Sequence, residues 1–238
     1  FDSYKAGSHL AQSNSAWTTW SNAPGGAEDG VISNAQAASA PNSLYISGDN
    51  DQVYPFGNYT SGHYTLTFNY YVPSSGSGAY FNIQHILLQQ WALECYFNND
   101  GTGYLSVGGG TFNFNYPSNA WFPMEFDVDM DNDQASLTVN GVTVHNWPFS
   151  YQQGNTNGVN QLAGINFYAG APGNASGTYY VDDFVVTEVS AAQVGEFAVD
   201  AESLTFSMNP DLTDSQSFTM SNPGTGGTDF NVLVTYDI

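Results

Sequence analysis

The stretch Trp121-Phe-Pro-Met-Glu-Phe-Asp-Val-Asp-Met-Asp-Asn-Asp-Gln-Ala-Ser-Leu-Thr-Val-Asn-Gly-Val-Thr-Val-His-Asn-Trp147 decides the fold. Phe122, Met124, Phe126, Val128 and Met130 alternate with Glu125, Asp127, Asp129 and Asp131, a period of two that places one apolar and one acidic face on a strand. Asp129-Met-Asp-Asn-Asp133 reads as a hairpin turn. Asn140-Gly141 is the two-residue signal of a type I′ turn, in which both central residues need positive φ. Three consecutive antiparallel strands therefore run from Trp121 to Trp147.

Working outward, the same alternation recurs between clusters of Gly, Pro, Asn, Asp and Ser, which is the pattern of an all-β sandwich. Further strands are expected at Ser43–Ile46, His63–Tyr71, Ala79–Leu88, Ala92–Phe97, Gly103–Val107, Thr111–Asn115, Gly164–Tyr168 and Thr178–Glu188. Only Ser33–Ala40 has a pattern that would hold a helical turn or two. Near Ser190 the texture changes. Residues 190–196 read as a linker after a first domain at 1–189, and residues 197–238 as a smaller β segment ending in the strand Phe230–Tyr236. That segment offers three or four strands where a stable sandwich usually needs about seven. It is then a truncated module, or it packs against the first domain or another chain, so self-association through it is one expectation.

The 238 residues carry 22 acidic side chains and a single basic one, Lys5, for a net charge of −21. Nucleic acid and insertion into an anionic membrane are excluded as partners, because phosphate neutralisation needs Lys or Arg. The carboxylates must be hydrated, which keeps the protein soluble, or bound to hard cations such as Ca²⁺. Cys95, the only cysteine, alternates with Leu93 and Phe97 and is expected to be buried. There is no apolar run of about 18 residues. The chain opens at Phe1 inside what reads as a first strand, as a mature or excised form would, and a secreted or cell-surface location is expected.

The order of motifs resembles the concanavalin A-like, MAM-like jelly-roll modules of large bacterial proteins exported by type IX secretion. The matching residues are Phe1-Asp-Ser-Tyr4, Trp17-Thr-Thr-Trp-Ser-Asn-Ala-Pro-Gly-Gly-Ala-Glu-Asp29, Ser43-Leu-Tyr-Ile46, Gly62-His-Tyr-Thr-Leu-Thr-Phe68, Trp91-Ala-Leu-Glu-Cys-Tyr96, Trp121–Asp127, Val139-Asn-Gly141 and Tyr180-Val-Asp-Asp-Phe-Val185. The resemblance implies a two-sheet antiparallel jelly-roll β-sandwich over residues 1–188. It also implies a Ca²⁺ ion between the first and last strands, held by Asp2 and Asp182, with Asp183 as substitute ligand and Asp29 completing the shell. Such modules accompany peptidases, glycan-degrading enzymes and adhesins alike. The second segment resembles the opening of an immunoglobulin-like module without its remainder or a sorting tail, as in a fragment of a longer surface protein.

Sugars are held by aromatic rings against their C–H faces and by planar amide or carboxylate groups on their hydroxyls. Tyr80, Gln84, His85, Gln89, Gln90, Trp91, Glu94 and Tyr96 supply that mixture on two adjacent strands, and Trp17 and Trp20 would form a rim. Strand register decides which of these side chains face a groove: with Trp91 and Leu93 in the core, Glu94 and Tyr96 face outward. The run Glu125–Asp131 looks superficially similar to the catalytic strand of laminarinase-type jelly-roll hydrolases, but an acid/base Glu is missing and a solvated outer face explains the same alternation. Ser47-Gly-Asp-Asn-Asp-Gln52 reads as a polar turn or a calcium loop. Three functions follow: a glycan-binding or adhesion module acting on polysaccharide or cell-surface glycan, a structural spacer or filament subunit, and a polysaccharide hydrolase or lyase using Glu125 or Glu94.

Overall fold

A computed structural model describes residues 1–170, 177–189, 198–199 and 217–223. A one-turn helix, α1 (Leu10–Ser13), precedes the strands β1 (Thr18–Thr19), β2 (Val31–Ser33), β3 (Ser43–Ile46), β4 (Asp51–Tyr59), β5 (His63–Tyr71), β6 (Ala79–Ile86), β7 (Gln90–Phe97), β8 (Thr102–Val107), β9 (Gly110–Asn115), β10 (Trp121–Asp129), β11 (Gln134–Val139), β12 (Val142–Trp147), β13 (Leu162–Tyr168) and β14 (Tyr179–Glu188). They form two seven-stranded antiparallel sheets, ordered β1-β4-β13-β6-β7-β8-β9 and β12-β11-β10-β5-β14-β3-β2. The Trp121–Trp147 reading holds strand for strand. Asn140 and Gly141 take φ of 49° and 76°, as the type I′ turn demands.

The alternation of β10 fills the space between the layers: Phe122, Met124, Phe126 and Val128 are buried, with Leu66, Phe68 and Tyr70 of neighbouring β5. Across the interface, Phe68 meets Phe81 of β6 and Phe167 of β13 edge-on, with ring centroids 5.4 and 5.5 Å apart. Tyr70 and Tyr179, fully buried, both donate their hydroxyl hydrogens to the carbonyl of Tyr80. Such pairing is what lets a phenol enter a core without an unsatisfied polar group. Cys95 is buried, and its surroundings push the thiol far from ionisation.

Three expectations change. Phe1–Tyr4 is a turn, closed by Tyr4 N–H on the Phe1 carbonyl at 3.1 Å, not a first strand. The helical turn lies at Leu10–Ser13 rather than within Ser33–Ala40, because Asp29, remote in sequence, accepts the amides of Ala11 and Gln12 at 2.8 and 3.0 Å. β4 adds a strand whose start was read as a polar turn or a calcium loop: Asn50 closes the turn by accepting Ser47 N–H, and Asp51 already belongs to the strand.

The chain divides into two compact units, Phe1–Val189 and Ser190–Ile238. In the second, β15 (Ala198–Val199) pairs antiparallel with β16 (Met220–Ser221). The linker at 190–196 and the strand expected at Phe230–Tyr236 lie outside the described residues. No helix among the described residues is long and apolar enough to cross a membrane.

Candidate functional site

On the outer face of the first sheet, register aligns side chains into rows across the strands. Asn166 of β13, Asn82 of β6, Glu94 of β7 and Ser106 of β8 stand side by side. A second row runs through Tyr80, Tyr96 and Tyr104, with Tyr168 edge-on to Tyr80 at 6.3 Å and paired with Asp51 of β4. Above these rows opens a cavity of about 340 Å³, at the small end of ligand sites. Asn82, Asn166 and Tyr80 are buried in it, and Asp51, Tyr168, Trp20, Trp91 and Glu94 complete its lining.

Trp91 reaches this face through an irregularity in the sheet. Leu93 pairs with Ile83 and Trp91 with Gln84, so Ala92 is an extra residue on β7. That bulge sends both Ala92 and Leu93 into the core and turns Trp91 outward. Trp20, just beyond β1, is anchored by its amide on the Asp51 carbonyl at 3.0 Å. Its ring lies 6.1 Å from that of Trp91 at 21°, so the two make one continuous aromatic wall.

The floor is a directed chain of hydrogen bonds. Leu88 N–H donates to Gln84 Oε1 (2.6 Å), Gln84 Nε2 to Asn82 Oδ1 (3.0 Å), Asn82 Nδ2 to Asn166 Oδ1 (2.9 Å), and Asn166 Nδ2 to Asp51 Oδ1 (2.6 Å). A branch runs from Asn82 Nδ2 to the Tyr80 hydroxyl (3.1 Å), which donates to Glu94 Oε1 (2.8 Å). A backbone donor at one end and carboxylates at the others fix the orientation of every amide between them. Burial holds the Tyr80 phenol far above its usual range, with the Glu94 charge acting in the same direction, so it stays a neutral donor. Burial also pushes the Asp51 carboxyl up to about 6, against the Asn166 hydrogen bond and with help from Glu28.

A raised acid pKa favours the protonated form in the fold, so stability is lost as pH rises from the unfolded value near 4 through about 6. Asp51→Asn keeps an oxygen for Asn166 and removes the charge. It is expected to stabilise the domain by about 1–2 kcal/mol at pH 7.5, after discounting for solvent, and to change nothing at pH 3. Urea denaturation at both pH values checks this, and an equal effect at both would refute the assignment.

Of the residues proposed from sequence, Trp20, Tyr80, Trp91 and Glu94 come together at the cavity, with Tyr96 beside Tyr80 at 4.9 Å. Trp17 does not form a rim: it is buried against Tyr54 and Phe184, ring centroids 4.9 and 5.3 Å away. His85 is buried as well. Its ring nitrogens lie 3.0 Å from the Gln161 and Tyr151 carbonyls, which ties down the segment after β12 instead of facing a ligand. Asn82, Asn166 and Tyr168 were not named from sequence, and Asp51 was named only within the polar turn or calcium loop Ser47–Gln52. An amide inside the apolar runs Phe81-Asn-Ile83 and Ile165-Asn-Phe167 was the available signal.

The four carboxylates proposed for calcium do not form one set. Asp29, just before β2, accepts the amides of Ala11, Gln12 and Gly25. Asp2, Asp182 and Asp183 do gather around residues 38–42, but Asp182 accepts Ala38 and Ser39 N–H, Asp2 accepts Asn42 N–H, and Asp183 accepts the Ser39 hydroxyl. These bonds engage each of the three carboxylates with the chain's own N–H and O–H groups. Among the described residues no group of three or more His, Cys, Asp or Glu side chains is placed to hold a metal ion. On the second sheet, Asp127 lies 2.8 Å from His63 and accepts Thr65, while Glu125 is exposed on the same outer face.

Fold and rows together define a concanavalin A-like jelly roll with an aromatic-walled polar cavity on one sheet. No protein-family model and no curated protein matches the chain, so the narrower MAM-like and type IX likeness gains no support. Among solved structures, the chain is similar to a family 7 alginate lyase, A1-II′, in complex with substrate (TM-score 0.52, 12% identity, 78% of this chain and 97% of the lyase). It is also similar to a sialidase (TM-score 0.52, 10% identity, 77% of this chain), of which it spans only 18%. At such identities the likeness is one of fold.

Proposed function

We propose that residues 1–189 form a carbohydrate-binding module that holds a polysaccharide or cell-surface glycan in the Trp20–Trp91 cavity, in a secreted or cell-surface protein. The observation that carries this reading is the combination in one cavity of an aromatic wall and a buried, orientation-locked amide row ending on Asp51 and Glu94. Stacked indoles receive the C–H face of a sugar ring, while fixed acceptors receive its hydroxyls. Preorganisation lowers the entropic cost of binding. The substrate complex of the alginate lyase supports the reading to the extent that a jelly roll of this kind accommodates a sugar chain. Its test is affinity electrophoresis in gels containing soluble polysaccharides. Retardation in at least one gel, lost in Trp91→Ala, is expected; migration unchanged in all of them would refute it.

A further inference from the structure

The charge of the cavity limits what can enter it, an argument that rests on the carbohydrate-binding reading. Every floor amide is already oriented: Asn82 spends its two N–H groups on Asn166 and Tyr80, and Asn166 spends its own on Asp51 and the Gln52 carbonyl. The directed chain delivers its hydrogens to Asp51 and Glu94, so the ends of the chain offer acceptor oxygens to a ligand. Hydroxyl groups, which donate, match such oxygens. A carboxylate, which only accepts, does not. Among the described residues no Lys, Arg or His lines the cavity, and Glu28, whose charge acts on Asp51, adds a further negative group beside it.

We infer that the cavity discriminates between sugars by charge, taking uncharged polysaccharide and rejecting uronate-bearing polysaccharide, with Asp51 and Glu94 as the rejecting groups. A uronate placed against the Trp20–Trp91 wall would face these two carboxylates with no cation to neutralise it. Repulsion between unit charges at such distances in a partly desolvated site exceeds the gain from a hydrogen bond. The fold shared with an alginate lyase therefore does not carry a shared ligand class.

The test is affinity electrophoresis at pH 8, where Asp51 is ionised, in matched gels of neutral polysaccharides (a β-glucan, a xylan and a galactomannan) and of alginate and polygalacturonate. The wild-type protein is expected to be retarded by at least one neutral polymer and by neither uronate, with at least tenfold discrimination. Asp51→Asn/Glu94→Gln, which keeps on each residue the one oxygen that accepts from Asn166 or Tyr80, turns the other into an amide NH2 and removes two of 22 acidic residues, is expected to narrow that gap tenfold or more. Uronate retardation of the wild type that disappears in Trp91→Ala overturns the inference and leaves the binding reading intact. An unchanged gap in the folded double variant, verified by its melting curve, also overturns it by assigning the exclusion to shape or overall charge. Absence of retardation by every polymer refutes the binding reading itself, and this inference with it.

Discussion

Trp91→Ala is expected to weaken polysaccharide binding about 30-fold or more, a loss of about 2 kcal/mol, which is the scale of a central aromatic anchor. Trp91 supplies half of an aromatic wall whose other half, Trp20, is 6.1 Å away. It reaches the outer face only because the extra residue Ala92 breaks the alternation of β7. The indole lies outside the core, so the melting temperature should fall by no more than about 4 °C. Trp20→Ala should have a comparable effect. The double variant should lose less than the sum, since the two rings act as one surface. Affinity measured by titration calorimetry with a retained polysaccharide gives these numbers, and a Trp91→Ala affinity within twofold of wild type would place binding elsewhere.

Phe68→Ala is expected to cost about 3–5 kcal/mol of stability, lowering the melting temperature by about 6–20 °C for a domain of this size. Phe68 stands on β5, which lies between β10 and β14 in the second sheet, and its ring is held edge-on by Phe81 and Phe167 of the first. Truncation leaves a cavity at the contact between layers and deletes both aromatic pairs to the other sheet, with those to Tyr70 and Phe184 as well. Phe68→Leu, closer in volume, should cost about 1–2 kcal/mol. Urea denaturation followed by tryptophan fluorescence distinguishes them. A cost below about 1 kcal/mol for the alanine variant would mean that the sheets do not pack through this residue.

The sandwich was legible wherever local alternation and turn chemistry agreed, as from Trp121 to Trp147, where Phe122, Met124, Phe126, Val128 and Met130 lie inside and Asn140-Gly141 turns the chain. It was illegible where a distant partner decides. Asp29 fixes α1 from 18 residues away, a contact no local pattern announces. β4 carries Pro55 and Gly57 within a nine-residue strand, and both residues ordinarily argue against a strand. At the site, Tyr80, Glu94 and Tyr96 followed from the period of two, because those parts of β6 and β7 are regular. Trp91 was named as a sugar contact with its register left open, and the bulge at Ala92 is what places it on the face opposite Leu93. Trp17 and Trp20 are three residues apart, on either side of β1, yet one is buried in the core and the other borders the cavity. Asn82 and Asn166 escaped notice because their value lies in pairing with each other across 84 residues.

The most direct measurement is a crystal structure of residues 1–238 soaked with an oligosaccharide cut from a retained neutral polysaccharide. Density for a sugar ring lying against Trp20 and Trp91, with hydroxyls within hydrogen-bonding distance of Asp51 or Glu94, is the predicted result. Ordered sugar at another surface, with the cavity filled only by water, would contradict the account.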